Sequence, residues 1–155
     1  MAEEMRMAYK ETRHWSSEMK YYFNVSKSVG PGRPNHKTDV ALVQTLLRNC
    51  YDGNEIANLQ IDGDCGPKTR TAIRKFQAEF SYYSKKKGLE PLEQDGIVTR
   101  ADNFGFDGPG GNVVAYTIVA LNFSLKNLKP KVWENLPYSP NVPAYLRAEL
   151  MKTGG

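Results

Sequence analysis

The stretch that decides the fold reads Leu59-Gln60-Ile61-Asp62-Gly63-Asp64-Cys65-Gly66-Pro67-Lys68-Thr69, followed at helical spacing by Ala72-Ile73 and Phe76-Gln77. Asp62 before Gly63 signals a tight turn, because a short carboxylate can bond the amides just ahead of it while glycine accepts a left-handed backbone. Gly66 is expected to let the chain reverse. Pro67, whose missing N–H costs nothing in a first helical turn, starts a helix, and Thr69 is expected to cap amides within it.

Working outward, Ala72, Ile73, Phe76 and Phe80 share one face, which predicts a helix over about 67–82. On the N-terminal side Val40, Val43, Leu46 and Leu47 share another, predicting a helix over about 39–50 with Thr38 or Asp39 as its cap. Ile73 and Phe76 then pin the second helix against the first. Gly30 to Asn35 form a turn region, and before it Tyr21, Phe23 and Val25 alternate with Tyr22, Asn24 and Ser26 as in a half-buried strand over about 20–26. Met5, Ala8, Trp15, Met19 and Tyr22 also follow helical spacing loosely; the strand is preferred.

Downstream, Val114, Ile118, Leu121 and Leu125 predict a third helix over about 113–125. Tyr116, Val119 and Phe123 make it apolar nearly all round, which places it at the centre of the fold. After Pro130 the chain is punctuated by prolines until Asn141 caps a short helix over about 144–151, with Pro143 in its first turn. Trp133, Tyr145 and Leu146 are expected to pack this tail back on the rest. The expected organisation is an N-terminal extension over 1–24, a helical domain over 25–128 and a C-terminal tail over 129–155.

The chain has 155 residues, 40% hydrophobic and 25% charged, enough for one ordinary globular domain. Its formal charge of +4 suits an anionic partner without choosing one. The charge is local: Lys68, Arg70, Arg74, Lys75, Lys85, Lys86 and Lys87 stand against Glu79 and Glu90, seven against two, a net of +5 between residues 66 and 90. No apolar run reaches the roughly 18 residues of a membrane span. Residues 1–10 are broken by charge and lack a signal-peptide core, so the expected place of synthesis is the cytoplasm. Cys50 and Cys65 read as two small buried thiols, with a bridge between them as the alternative.

Read as a whole, the central stretch resembles the peptidoglycan-binding domain family. That family's pattern joins a Val-Gln-x-Leu-Leu helix to an Asp-Gly-x-x-Gly-Pro-x-Thr loop and an Ala-Ile-x-x-Phe-Gln helix. Here these are Val43 to Leu47, Asp62 to Thr69 and Ala72 to Gln77. Upstream, Ser28-Val29-Gly30-Pro31-Gly32 with Asn35 and Asp39-Val40 is similar to the leading segment of modules that accompany cell-wall hydrolases of phage and secretion-system type. Downstream, Asp95-Gly96-Ile97-Val98, Pro109-Gly110-Gly111, Thr117 and Leu121-Asn122 are similar to their closing elements. Cys65 departs from the usual large apolar residue, and 99–107 reads as an insertion.

The resemblance implies a mainly α, compact three-helix fold with a short N-terminal strand or extended segment and an added C-terminal helix. It implies binding of the glycan and stem peptide of peptidoglycan, with action in the periplasm or wall after signal-independent export, injection or lysis. A cell-wall hydrolase, phage protein or secretion-machinery protein is the expected protein partner. Arg70, Arg74, Gln77, Tyr82 and Tyr83 are the expected ligand-binding residues, the cations for peptide carboxylates and a tyrosine for sugar faces. Asp62, Gly63, Gly66, Pro67 and Thr69 are expected to shape the loop. The rival class is a structural or adaptor protein of a phage particle or secretion apparatus that uses the same fold to bind protein.

No catalytic set, cofactor or metal site is expected. His14 and His36 are too few for most zinc amidase centres, and the Asp62 to Asp64 loop lacks the further spaced oxygens of a calcium loop. Glu55 and Asp64 stand nine apart, as in phage-type lysozymes, but the position six further on is Arg70 instead of threonine. Lys85 to Lys87 beside Tyr82 and Tyr83 come with no recognised nucleic-acid motif.

Overall fold

The computed structural model describes residues 7–12, 19–88, 90–102 and 116–153. Strand β1 (Tyr9–Glu11) pairs antiparallel with β2 (Tyr22–Asn24), Lys10 opposite Phe23. Helices α1 (Lys37–Cys50), α2 (Pro67–Lys86) and α3 (Thr117–Leu128) follow, then α4 (Pro130–Glu134) and α5 (Ala144–Leu150). Short 3-10 turns at Ile56–Asn58 and Leu136–Tyr138 complete the mainly α fold expected from the sequence.

The apolar stripes build the core as their spacing implies. Val40, Val43, Leu46 and Leu47 of α1 are fully buried, and Ala72, Ile73 and Phe76 of α2 join the same cluster. Helix α3, apolar nearly all round, packs against α1, α4 and β2. Asn122, a polar residue at the middle of α3, is fully buried and fully satisfied. Its amide oxygen accepts from the Phe23 amide at 2.9 Å and Trp133 Nε1 at 3.0 Å, and its Nδ2 donates to Phe23 O at 2.9 Å and Ile118 O at 2.8 Å. One side chain therefore ties β2 and α4 to the central helix. Trp133 is buried and stacks on Tyr21 with ring centroids 4.6 Å apart. Leu146 and Leu150 of α5 enter the core, and Lys10 donates its amide to Lys152 O at 3.0 Å, so the chain ends beside the strand near its start.

Several local expectations are corrected. The strand is shorter than 20–26, and both its faces are buried: Tyr22, Phe23, Asn24, Val25 and Ser26 are all enclosed, because β1, α3 and α1 surround it. Its partner β1 was not expected, since Tyr9-Lys10-Glu11 carries two charged residues, and yet Glu11 is buried. Helix α1 starts at Lys37 with His36 as N-cap and no side-chain cap. Asp39 turns instead to the preceding segment, where it accepts from Ser26 N at 2.8 Å, Ser26 Oγ at 2.7 Å and Lys27 N at 3.1 Å. Burial raises the Asp39 pKa, and those three donors oppose the rise. Helix α2 runs on to Lys86, and α3 opens at Thr117; positions 113–115 lie outside the described residues. Helix α4 was unforeseen, and α5 is preceded by Pro143 as N-cap without the expected bond from Asn141. His14, Trp15, most of the expected insertion and Pro109-Gly110-Gly111 also lie outside the described residues.

Candidate functional site

The Asp-Gly loop between α1 and α2 is held by one buried amide. Gln44, on α1, donates from Nε2 to Asp62 Oδ1 at 2.9 Å, Asp64 O at 3.0 Å and Thr69 Oγ1 at 3.0 Å, and its Oε1 accepts from Gly63 N at 2.9 Å. Asp62 Oδ1 also accepts from Asp64 N at 2.9 Å, and that amide followed by the Gln44 amide lowers the Asp62 pKa. The loop carboxylate thus satisfies turn donors, as expected. Gly63 is the residue that needs to be glycine: φ is 78°, and a Cβ there would lie 2.5 Å from Lys37 Cγ. Gly66 was expected to supply the reversal, but it has an ordinary extended backbone with open space around it. Thr69 does not cap α2; its hydroxyl is buried and accepts from Gln44.

The same device recurs between α2 and α3. Gln77 donates to Asp95 Oδ1 at 3.2 Å, Ile97 O at 3.0 Å and Thr117 Oγ1 at 3.1 Å, and accepts from Gly96 N at 2.8 Å. Both glutamines precede their aspartate by 18 positions. Gly96 matches Gly63 with φ 73°. Helix α2 is therefore shared: its first turn is gripped by Gln44 and its middle grips the next loop. Val29 pairs with Val98 through reciprocal amide bonds of 2.9 and 2.8 Å, which joins the leading and closing segments across the fold.

This arrangement corrects one expected ligand contact. Gln77 is fully buried with its amide oxygen and nitrogen both engaged, so it positions the second loop. The other four residues lie on the surface of α2 without forming one groove. At about 100° per residue, Arg70 and Arg74 project within about 40° of each other, while Tyr83 is about 180° from Arg74. Arg74 is exposed and runs beside the second loop, its Cγ 3.3 Å from where a Gly96 Cβ would lie; Arg70 is half-buried and its Nε has no partner among the described residues. Tyr82 and Tyr83 are both exposed, with Lys86 Nζ 4.7 Å from the Tyr82 ring centroid.

On the Tyr83 side lies a cavity of about 360 Å³, the feature that sequence reading missed. Its apolar walls are Tyr51, Phe76, Phe80 and Tyr83 together with Phe123 and Leu128 of α3. Polar edges come from Glu79, Ser124 and Asn127. Tyr51 Oη donates to Glu79 Oε1, and Lys75 Nζ lies 3.6 Å from Glu79 Oε2. Burial, then the Glu79 bond, pushes the Tyr51 pKa up. Cys50 is a free thiol at the cavity edge, and burial pushes its pKa up to about 12, so at neutral pH it is a protonated apolar group and no nucleophile. Cys65 is free as well.

Residues 36–82 match the family model described as "Putative peptidoglycan binding domain". The matched segment is α1, the Gln44-clamped loop and α2 almost to its end; it holds the central motifs of the resemblance and not the segments over 28–35 and 95–122 that were also found similar. Neither curated proteins nor solved structures give a match to the chain. Among the described residues no helix is long and apolar enough to cross a membrane.

Proposed function

We propose that this chain is a non-catalytic module that binds the peptidoglycan of the bacterial cell wall and anchors or targets whatever it accompanies there. The observation that carries this reading is the family match over residues 36–82, whose motif residues build the clamped loop. Arg70 and Arg74 form its basic edge, placed to attract stem-peptide carboxylates, and Tyr82 and Tyr83 offer aromatic faces to the glycan. Loop residues Asp62, Gly63, Gly66, Pro67 and Thr69 shape this surface without touching ligand.

The site of action on this reading is the wall or periplasm, where a hydrolase, phage protein or secretion component is the protein it would serve. Incubation of the pure protein with purified sacculi tests the proposal. Retention on sacculi without soluble muropeptides is expected. Release of muropeptides would make the chain a hydrolase, and no retention would leave the fold as an adaptor that binds protein.

A further inference from the structure

Helices α2 and α3 both pack on α1 and scarcely on each other, meeting where Gln77 bonds Thr117 at the start of α3. Beyond that bond a cleft separates them, the cavity of about 360 Å³ that also takes in Cys50 and Tyr51 at the end of α1. Its volume lies within the ~300–1,000 Å³ typical of small-molecule sites. Apolar surface continues out of the cavity, because the lining residues Leu128 and Tyr83 are 61% and 44% exposed. Tyr83 thus borders both the cavity and the open surface of α2. A lining of Tyr, Phe and Leu accepts hydrocarbon, whereas polar groups placed against it would lose water without gaining partners.

The charges around the cavity select the other end of the ligand. Glu79, the carboxylate among the lining residues, is engaged by the Tyr51 hydroxyl and the Lys75 ammonium, so a cationic ligand finds no free anion there. Cations stand around it instead. Lys129 pairs with Asp52 at 2.8 Å and lies close enough to Cys50 for its charge to oppose the rise that burial gives the thiol pKa. Lys87 is exposed, with Nζ 5.9 Å from the Tyr83 ring centroid, and makes no ion pair with a described residue. Against Glu79 and Asp52, the cations Lys75, Lys87 and Lys129 leave one positive charge free, and it belongs to Lys87. A second copy of the chain is a poor occupant, because it would bring like charges together between molecules of net charge +4.

We propose that this cavity binds an anionic amphiphile, an acyl carboxylate whose hydrocarbon body lies between α2 and α3 and whose acidic head meets Lys87. The site is separate from the wall-binding surface and stands whether or not that reading holds. An exposed ion pair contributes little by itself, so burial of hydrocarbon supplies most of the affinity and the lysine selects the sign of the head group. Rising salt should therefore erode the preference for an anion while leaving attachment of the chain in place.

The test is a heteronuclear NMR titration of the full chain with sodium decanoate below its micelle concentration, run in parallel with the cationic decyltrimethylammonium ion. Backbone amides around Tyr51, Glu79 to Lys87 and Phe123 to Leu128 should shift saturably with decanoate, and the cationic probe should bind about three- to tenfold more weakly at low salt. Leu128→Gln, at an exposed position, should weaken decanoate about fivefold or more with unchanged melting. Lys87→Glu should cost decanoate about three- to tenfold and remove its advantage over the cation, whereas Tyr138→Ala, an exposed tyrosine elsewhere, should change neither. Equal binding of the two probes by the parent would overturn the anionic head group. Decanoate that leaves these amides unmoved, or shifts centred on another surface, would overturn the site. Shifts at these amides with vesicles of phosphatidylglycerol but none with decanoate would make the patch a membrane contact and overturn the free carboxylate as its ligand.

Discussion

Replacing Gln77 by Met keeps the length and volume of the side chain and removes every polar contact it makes. The parent amide serves four partners, and two of them, the Gly96 N–H and the Thr117 hydroxyl, belong to buried residues. Asp95 Oδ1 still accepts from Ile97 N, so the exposed side of that loop is little harmed. Leaving a buried polar group unsatisfied costs about 1–3 kcal/mol, so the two orphaned groups imply a loss of about 2–6 kcal/mol. That is a large share of the roughly 5–15 kcal/mol by which a domain of this kind is stable. Urea denaturation followed by far-UV circular dichroism, with an unchanged slope, measures it. Gln44→Met should cost a similar amount, because its clamp repeats the same four contacts. A loss under about 1 kcal/mol at Gln77 would mean that the Asp95-Gly96 loop is held by the Val29 and Val98 pairing and not by the glutamine.

Phe76→Ala should cost about 3–5 kcal/mol in the same assay, since Phe76 is 5% exposed and separates the core from the cavity; a negligible loss would mean that α2 turns another face inward. The pKa of Asp62 is lowered in the folded protein, so its contribution to stability is present above the unfolded value of about 3.9 and is lost as pH falls through the lower folded value. The melting-temperature advantage of the parent over Asp62→Asn should therefore be greatest near neutral pH and shrink below about pH 4; an advantage that grows with acid would refute the clamp's electrostatics.

The apolar skeleton was legible because α1, α2 and α3 bury stripes at helical spacing, and a stripe of Val, Leu, Ile and Phe has few other uses. Polar burial is what hid the rest. Glu11 and Asn24 in the small sheet, Ser81 on α2 and the two clamp glutamines are of polar types that are mostly exposed, yet each is enclosed. Ser81, for example, bonds both the amide and the carbonyl of Leu92 at 3.0 Å, which no local pattern announces. Gln77, expected among the ligand-binding residues, is one of these enclosed residues. The signal that would have corrected it is present in the chain: Gln44 and Gln77 each stand 18 positions before an Asp-Gly pair, and the first is visibly part of a loop motif. The loop residues of the site were readable as a motif. The cavity was not, because Tyr51, Tyr83, Phe123 and Asn127 come from three separate segments and meet only through packing.

The wall-binding reading is tested most directly by retention on purified sacculi across a salt series, for the parent and for the Arg70→Glu, Arg74→Glu double variant, with thermal melts of both. Exposed charges are screened beyond about 8 Å at physiological ionic strength, so the basic edge should lose grip as salt rises. The account predicts retention of the parent at low salt, a decline with salt, weaker retention of the folded double variant and no soluble muropeptides. A parent that ignores sacculi even at low salt would contradict it.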